Sequence, residues 1–179
     1  RTSDIFNKFK TDGPNSPQDV ADWKAVRGTS YIYPATPITN AEIAQFQNEG
    51  FEIALHLNTG CENWTPASWK QNWKDQWNLM KDFYPSINNA MTHRTHCIAW
   101  SDWVNQARQQ AELGVRLDVN YYYFPGTWEQ NRSGMFTGSG MPMRFADIDG
   151  TMVDCYQVTT QLTDESGQAY PQTINELLD

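Results

Sequence analysis

Apolar and polar residues alternate along this chain in short runs that glycine and proline interrupt. Four runs are rich in β-forming residues and predict strands, at 28–34, 51–57, 90–97 and 115–123. Between them, apolar residues recur at helical spacing in segments 39–50, 65–83 and 101–114. Thr39 and Glu42 have the spacing of a capping box, and Thr65 is followed by Pro66 at the first helical position. These signals predict where the first two of these helices begin.

Alternating strands and helices favour a mainly parallel α/β architecture. Past Pro125 the helical pattern stops, and two β-like runs at 135–145 and 151–160 are joined by the turn DIDG. A last helix is predicted to begin near Pro171. Because the chain shows neither an internal repeat nor a low-complexity linker, we interpret 1–179 as a single domain.

Charge and composition narrow the class of ligand. The 179 residues include 21 acidic and 13 basic side chains, for a formal net charge of -8. This balance argues against a nucleic acid or an anionic membrane as partner, and no apolar run has the roughly 18 residues of a membrane span. Few charged residues and many aromatic ones are typical of extracellular proteins that handle carbohydrate, so we expect a secreted or cell-wall-associated protein.

The candidate functional residues follow the predicted strands, at the edge where parallel α/β folds gather their chemistry. They are His56, Asn58, His93, Arg94, His96, Asp118 and Asn120. Of these, Arg94 and Asp118 are candidate catalytic residues, and Asn58, His93 and Asn120 are candidate substrate contacts. All three histidines of the protein fall in this set. Neutral imidazole is a preferred ligand of zinc, and a catalytic zinc commonly has three protein ligands. We therefore expect His56 and His96 to bind a divalent metal, with a carboxylate from Asp118 or from upstream as the third ligand.

Each candidate also has a structural interpretation. His56 alone fits a buried or capping histidine, Arg94 fits a structural salt bridge as well as an arginine that orients a catalytic carboxylate, and Asp118 fits a loop hydrogen-bonder. Cys61 and Cys97 follow the two histidine positions closely, which fits either a disulfide between two site loops or two unreactive thiols.

The aromatic residues divide into two groups. Trp69, Trp73 and Trp77 recur at helical spacing, which indicates core packing rather than a sugar platform. The aromatic residues nearer the predicted strand-end loops are better candidates for the walls of a substrate site. They are Trp100, Trp103, Trp128 and residues 121–124, of which we single out Tyr123 and Trp128.

Three stretches together resemble the polysaccharide deacetylase family of carbohydrate esterases, the group with the NodB homology domain. GFEIALHLNTG resembles the family motif G-H-E-I-G-x-H-[ST]-x-x-[HN], in which the first histidine, matched by His56, binds the metal. THRTHC resembles the motif R-x-P-[FY], and Arg94 matches the arginine that positions the catalytic aspartate. GVRLDVNYYY resembles the strand after the next helix, with Asp118 near its substrate-groove position. The resemblance covers nearly the whole chain and implies a deformed (β/α)7 barrel.

The chain departs from the family pattern at several positions. The second histidine of the metal motif would fall at Gly60, and His96 stands where the arginine motif has proline, so we infer that His96 replaces the lost ligand. TDGPN imitates the family's T-F-D-D-G-P with the single aspartate Asp12. We expect the true aspartate pair upstream of Arg1, the final histidine motif beyond Asp179, and an excerpt that is inactive alone.

The resemblance implies a metal-dependent hydrolase, most simply a zinc enzyme, that removes N- or O-acetyl groups from a polysaccharide or oligosaccharide. Two alternatives remain open at this stage. One is a carbohydrate-binding pseudoenzyme on the same barrel, and the other is a metal-dependent hydrolase of another bond. Further domains of a longer chain are additional candidate partners.

Overall fold

The computed structural model describes residues 2–10, 15–98, 101–122 and 141–160. Helices in these ranges are α1 (Thr2–Phe9), α2 (Pro17–Ala21), α3 (Asn40–Asn48), α4 (Pro66–Phe83) and α5 (Asn105–Glu112). Strands are β1 (Thr29–Ile32), β2 (Glu52–Leu57), β3 (Thr92–Thr95), β4 (Leu117–Tyr122), β5 (Met143–Ala146) and β6 (Met152–Thr160). All four runs predicted as strands, and the three segments predicted as helices between them, contain the expected element.

The strands form a six-stranded sheet in the order β1-β2-β3-β4-β6-β5. The pairs β1–β2, β2–β3, β3–β4 and β4–β6 are parallel. The edge strand β5 pairs antiparallel with β6. The mainly parallel α/β class predicted from the sequence is therefore confirmed. Since the first four strands are parallel and in chain order, their carboxyl ends meet at one edge of the sheet.

The helix starts form as their capping signals predict. Thr39 accepts a hydrogen bond from the backbone N–H of Glu42, and the Glu42 carboxylate accepts one from the backbone N–H of Thr39. Thr65 forms a second box with Ser68. Such caps satisfy backbone donors that the first helical turn leaves unpaired, each typically stabilising by about 1 kcal/mol.

The larger core cluster lies between β1 and β2 and helices α1, α3 and α4. Alternate residues of β2, namely Ile53, Leu55 and Leu57, point into it. Trp69 is fully buried, and Trp73 and Trp77 pack against the same cluster, so the tryptophan stripe of α4 belongs to the core as predicted. Burying a large apolar side chain stabilises the fold by roughly 1.5–3 kcal/mol.

Gly50 closes α3 at a point where the chain passes close to α2. Its φ of +88° lies in the left-handed region. A Cβ added there would lie 2.6 Å from Val20 Cγ2 and 3.1 Å from the backbone oxygen of Ser16. Glycine is therefore required here both by conformation and by space.

Several sequence predictions lie outside the described residues. They concern Asp12, Trp100, residues 123–124, Trp128 and the helix near Pro171. Among the helices that are described, none combines the length and apolar character needed to cross a bilayer.

Candidate functional site

Adjacent residues of a strand point to opposite faces of the sheet, and this alternation sorts the candidate residues into two groups. His56 of β2 is in register with Arg94 of β3, so both side chains lie on one face, which we call the histidine face. His93 of β3 is in register with Asp118 of β4 on the other face. That second face, the helix face, packs against α4 and α5.

His56 and His96 meet at the carboxyl end of β2 and β3. His96 begins a short 3-10 segment, His96–Ile98, directly after β3. The distance from His56 Nε2 to His96 Nδ1 is 3.3 Å. Two nitrogens bound at about 2.0–2.1 Å to one tetrahedral zinc ion lie roughly 3.3 Å apart. The two rings therefore already have the spacing of two ligands of one metal ion. Without a metal, the same separation fits a hydrogen bond from one neutral imidazole to the other.

The environment keeps His56 in the form that binds metals. Burial, followed by the nearby His96 ring and the Arg94 guanidinium, lowers the pKa of His56 from 6.5 to about 4. The imidazole is therefore neutral at neutral pH, with a lone pair available. Within the described residues, its Nδ1 is buried and has no hydrogen-bond partner.

Tyr33 completes an aromatic cluster around the two imidazoles. Its ring lies edge-on to His56 at 5.1 Å and to His96 at 5.6 Å between centroids. The residue is 37% exposed, so solvent reaches Tyr33 beside the pair. Sequence reasoning missed this residue, although its place directly after β1 is the same strand-end signal that identified His56.

A disulfide joins the two loops that carry the histidines. Cys61 and Cys97 are bonded, with their Cα atoms 5.3 Å apart. Of the two alternatives that the sequence left open, the disulfide is confirmed. Both cysteines have left-handed backbones, with φ of 60° and 57°, and both are exposed. Cys155, by contrast, is a buried free thiol.

Asn58 organises the loop after β2. Its backbone N–H donates to Gln76 Oε1 at 2.9 Å, and its carbonyl accepts from Gln76 Nε2 at 2.7 Å. Its side-chain oxygen accepts from the backbone N–H of Gly60 at 2.8 Å. Asn58 is exposed and therefore accessible, but its polar atoms hold the loop against α4.

Below the histidines, the same face carries a hydrogen-bonded group. The Glu52 carboxylate accepts from the hydroxyls of Thr29 and Thr92 and from the backbone N–H of Met91. Tyr31 pairs with the Thr92 hydroxyl at 2.6 Å. Burial raises the pKa of Tyr31, so the phenol stays neutral.

Arg94 lies between this group and the histidines. It is near enough to influence the pKa of both Tyr31 and His56. The guanidinium is thus placed on the histidine face, where the sequence predicted an arginine that orients an anionic group.

His93 is not brought to the pair. It is 0% exposed on the helix face, with its ring centroid 4.9 Å from that of Trp73 and 5.8 Å from that of Trp69. Its Nε2 lies 3.0 Å from the Thr95 hydroxyl. Burial lowers its pKa to about 3. Residues adjacent in a strand point oppositely, so His93 cannot share a ligand with Arg94, and the predicted substrate contact does not fit its location.

Asp118 and Asn120 lie on the same buried face. The Asp118 carboxylate accepts from Gln110 Nε2 at 2.6 Å, from Asn120 Nδ2 at 2.6 Å and from the Asn120 backbone N–H at 2.9 Å. Burial raises the pKa of Asp118 to about 6. Asn120 Oδ1 in turn accepts from the backbone N–H of Thr95 at 2.7 Å. These contacts tie α5 to the sheet and leave neither side chain beside the histidine pair.

The described residues hold one group of three metal-binding side chains, namely Cys61, His96 and Cys97. Their candidate ligand atoms all lie within 4.8 Å of one another, but the two sulfurs are bonded to each other. Across these described ranges, no carboxylate joins His56 and His96 in such a group, and the predicted third ligand Asp118 is not among them.

Comparisons of the chain with protein-family models, with curated proteins and with solved structures give no match. The deacetylase resemblance therefore remains a prediction. A functional proposal depends on the sheet, the two imidazoles and their surroundings.

Proposed function

We propose that this protein is a metal-dependent hydrolase that removes acetyl groups from a polysaccharide. The observation that carries the proposal is the 3.3 Å spacing of His56 Nε2 and His96 Nδ1 at the carboxyl end of a mainly parallel sheet. That position is where α/β enzymes place their chemistry. We further propose that the sheet belongs to a deformed (β/α)7 barrel, which the separation of helices and histidines onto opposite faces supports.

The donor set fits a divalent metal, and zinc is the ion we propose. His56 and His96 would supply two neutral imidazoles, and the low pKa of His56 keeps that ring able to bind the ion rather than a proton. When bound, a divalent ion supplies a Lewis acid that polarises the acetyl carbonyl. The third protein ligand is assigned to no described residue.

The remaining residues of the histidine face bind and orient. Arg94 is the cation that would hold an anionic group beside His56, and the partly exposed Tyr33 offers an aromatic ring against which a sugar can pack. The Glu52 and Tyr31 group supports these side chains from below. In this proposal Asp118, Asn120 and His93 hold the strands against the helices and do not contact the substrate.

A second function is favoured by one specific observation. Among the described residues, no carboxylate stands in a three-ligand group with the two imidazoles, whereas the resemblance implies an aspartate as the general base. A carbohydrate-binding protein on the same scaffold would need only the groove and its aromatic walls. Tyr123 and Trp128 remain the predicted walls in either case.

Zinc stoichiometry tests the metal assignment. Wild-type protein, dialysed against trace zinc under oxidising conditions, is expected to retain about one ion per chain, and His56→Ala and His96→Ala are expected to lose it. Glu62→Gln is the matched control, since it changes an exposed residue of the same loop. Equal zinc retention in wild type and both histidine variants would refute the metal pair.

Acetate release separates the two functions. Acetate release is measured on the full-length protein, with N-acetylated and O-acetylated oligosaccharides as substrates. Acetate released by wild type and not by His56→Ala supports the deacetylase. Oligosaccharide binding without acetate release supports the binding protein instead.

We also propose secretion, which the disulfide supports because such bonds persist in oxidising compartments.

A further inference from the structure

We propose that reduction of the Cys61–Cys97 disulfide creates a zinc site formed by the two thiolates and His96. The loops after β2 and β3 would then hold either a disulfide or a metal ion, according to the redox state. The proposal shares His96 with the catalytic metal site proposed above, yet it concerns metal binding alone and does not require hydrolase activity.

The three side chains already lie close to one another. Their candidate ligand atoms lie within 4.8 Å of each other. Around a tetrahedral zinc ion, with bonds of about 2.3 Å to sulfur and 2.0 Å to nitrogen, ligand atoms lie roughly 3.3–3.8 Å apart. The two sulfurs of a disulfide are bonded at about 2 Å and must separate by about 1.8 Å to enter such a shell, which is about 0.9 Å of movement for each. Both cysteines are exposed, which gives a reductant and the ion direct access.

The loops keep these positions by contacts other than the disulfide. The two hydrogen bonds between the Asn58 backbone and Gln76 fix the loop that leads to Cys61. Cys97 follows His96 directly, within the turn that ends β3. Separation of the sulfurs therefore leaves both loop stems anchored to the sheet and to α4.

The chemistry balances with a dithiol as the reductant. Thiol–disulfide exchange breaks the Cys61–Cys97 bond, the dithiol gives up two electrons and two protons, and it leaves as its cyclic disulfide. Zinc binding then displaces the two thiol protons into solvent, because the ligands are thiolates. His56, whose Nε2 lies 3.3 Å from His96 Nδ1, would complete the shell as the fourth ligand and leave no position for water.

The consequence concerns the open coordination position that a hydrolytic metal needs. Closed sites rich in cysteine are typical of structural zinc, whereas catalytic sites keep a position for water or substrate. Reduction would therefore move the ion from an imidazole site into a thiolate site that shares His96. On the proposed function, reducing conditions would switch hydrolysis off while retaining the metal.

Cobalt absorption tests the thiolate ligands directly. The protein is reduced with a dithiol, freed of reductant by gel filtration under argon and titrated with Co²⁺. Reduced wild type is expected to show thiolate-to-cobalt charge-transfer absorption, which added Zn²⁺ abolishes, and oxidised wild type to show none. The double variant Cys61→Ser/Cys97→Ser is expected to lose the absorption, whereas Cys155→Ser is the matched control that retains it.

The variants also separate this proposal from the proposed function. His56→Gln is expected to lose metal binding in the oxidised form and to keep the charge-transfer absorption in the reduced form. Absence of that absorption in reduced wild type overturns the redox site, even if oxidised protein binds zinc. If reduced protein unfolds by circular dichroism, recovery of the fold on adding Zn²⁺ supports the site, and failure to recover overturns it.

Discussion

Removing the disulfide should measurably weaken the fold, and the expected size follows from the loop that it closes. Cys61 and Cys97 are 36 residues apart in the chain, and α4 and β3 lie between them. In the chain-entropy treatment, a cross-link of this span restricts the unfolded chain by an entropy worth about 4 kcal/mol at 25 °C. Because both cysteines are exposed, their replacement by serine adds little further loss from burial.

The assay is urea unfolding of wild type and of Cys61→Ser/Cys97→Ser, with a chelator present so that no metal stabilises either protein. The double variant is expected to lose about 4 kcal/mol of unfolding free energy. A dithiol should lower wild type to the level of the double variant and leave the double variant unchanged. A difference below about 1 kcal/mol would mean that the two loops are already held together in the unfolded chain, which would refute the loop-closure reasoning.

Two further predictions concern pH and backbone conformation. Acid should destabilise the fold, because the lowered pKa values of His93, about 3, and His56, about 4, keep both rings neutral when folded. Their contribution is present above the unfolded pKa of about 6.5 and is lost as pH falls toward the folded values. The raised pKa of Asp118 has the opposite effect on stability, because its contribution is lost as pH rises through about 6. If the unfolding free energy decreases as pH rises from about 4 to 7, the histidines do not dominate and the prediction is wrong. Gly50→Ala should destabilise by at least about 1 kcal/mol more than Gly114→Ala in urea unfolding, since both backbones are left-handed but only Gly50 has close neighbours, and equal losses would refute the steric argument.

The local elements were readable from the sequence because their signals are local. Thr39 and Thr65 mark helix starts through hydrogen bonds that reach only three residues, and both caps form as predicted. The convergence of His56 and His96 was also predictable, since parallel neighbours end at one edge of a sheet. The sequence alone did not decide between a disulfide and two free thiols, because that choice depends on the distance between two loops.

The composition of the site was harder to predict, because a list of strand-end residues does not say which face each one occupies. His93 and Arg94 were both selected, yet adjacent residues of a strand diverge by geometry. The register of His93 with Asp118 then carries Asp118 to the helix face too. Tyr33 could not be predicted as a site residue, because tyrosine is common in strands whether or not it belongs to a site. Only the packed structure shows its ring against both imidazoles.

The buried amides and carboxylate between α5 and the sheet also constrain how this protein can change. Gln110 and Asn120 each donate to the same oxygen of Asp118, and Thr95 relies on Asn120 for its backbone N–H. Replacing Asp118 by an apolar residue would leave these donors buried without an acceptor, each at about 1–3 kcal/mol. Substitution at one of these positions therefore requires compensation at the others. Among related sequences, we expect these four positions to vary together, as a coupled unit that either stays polar or becomes apolar as a whole.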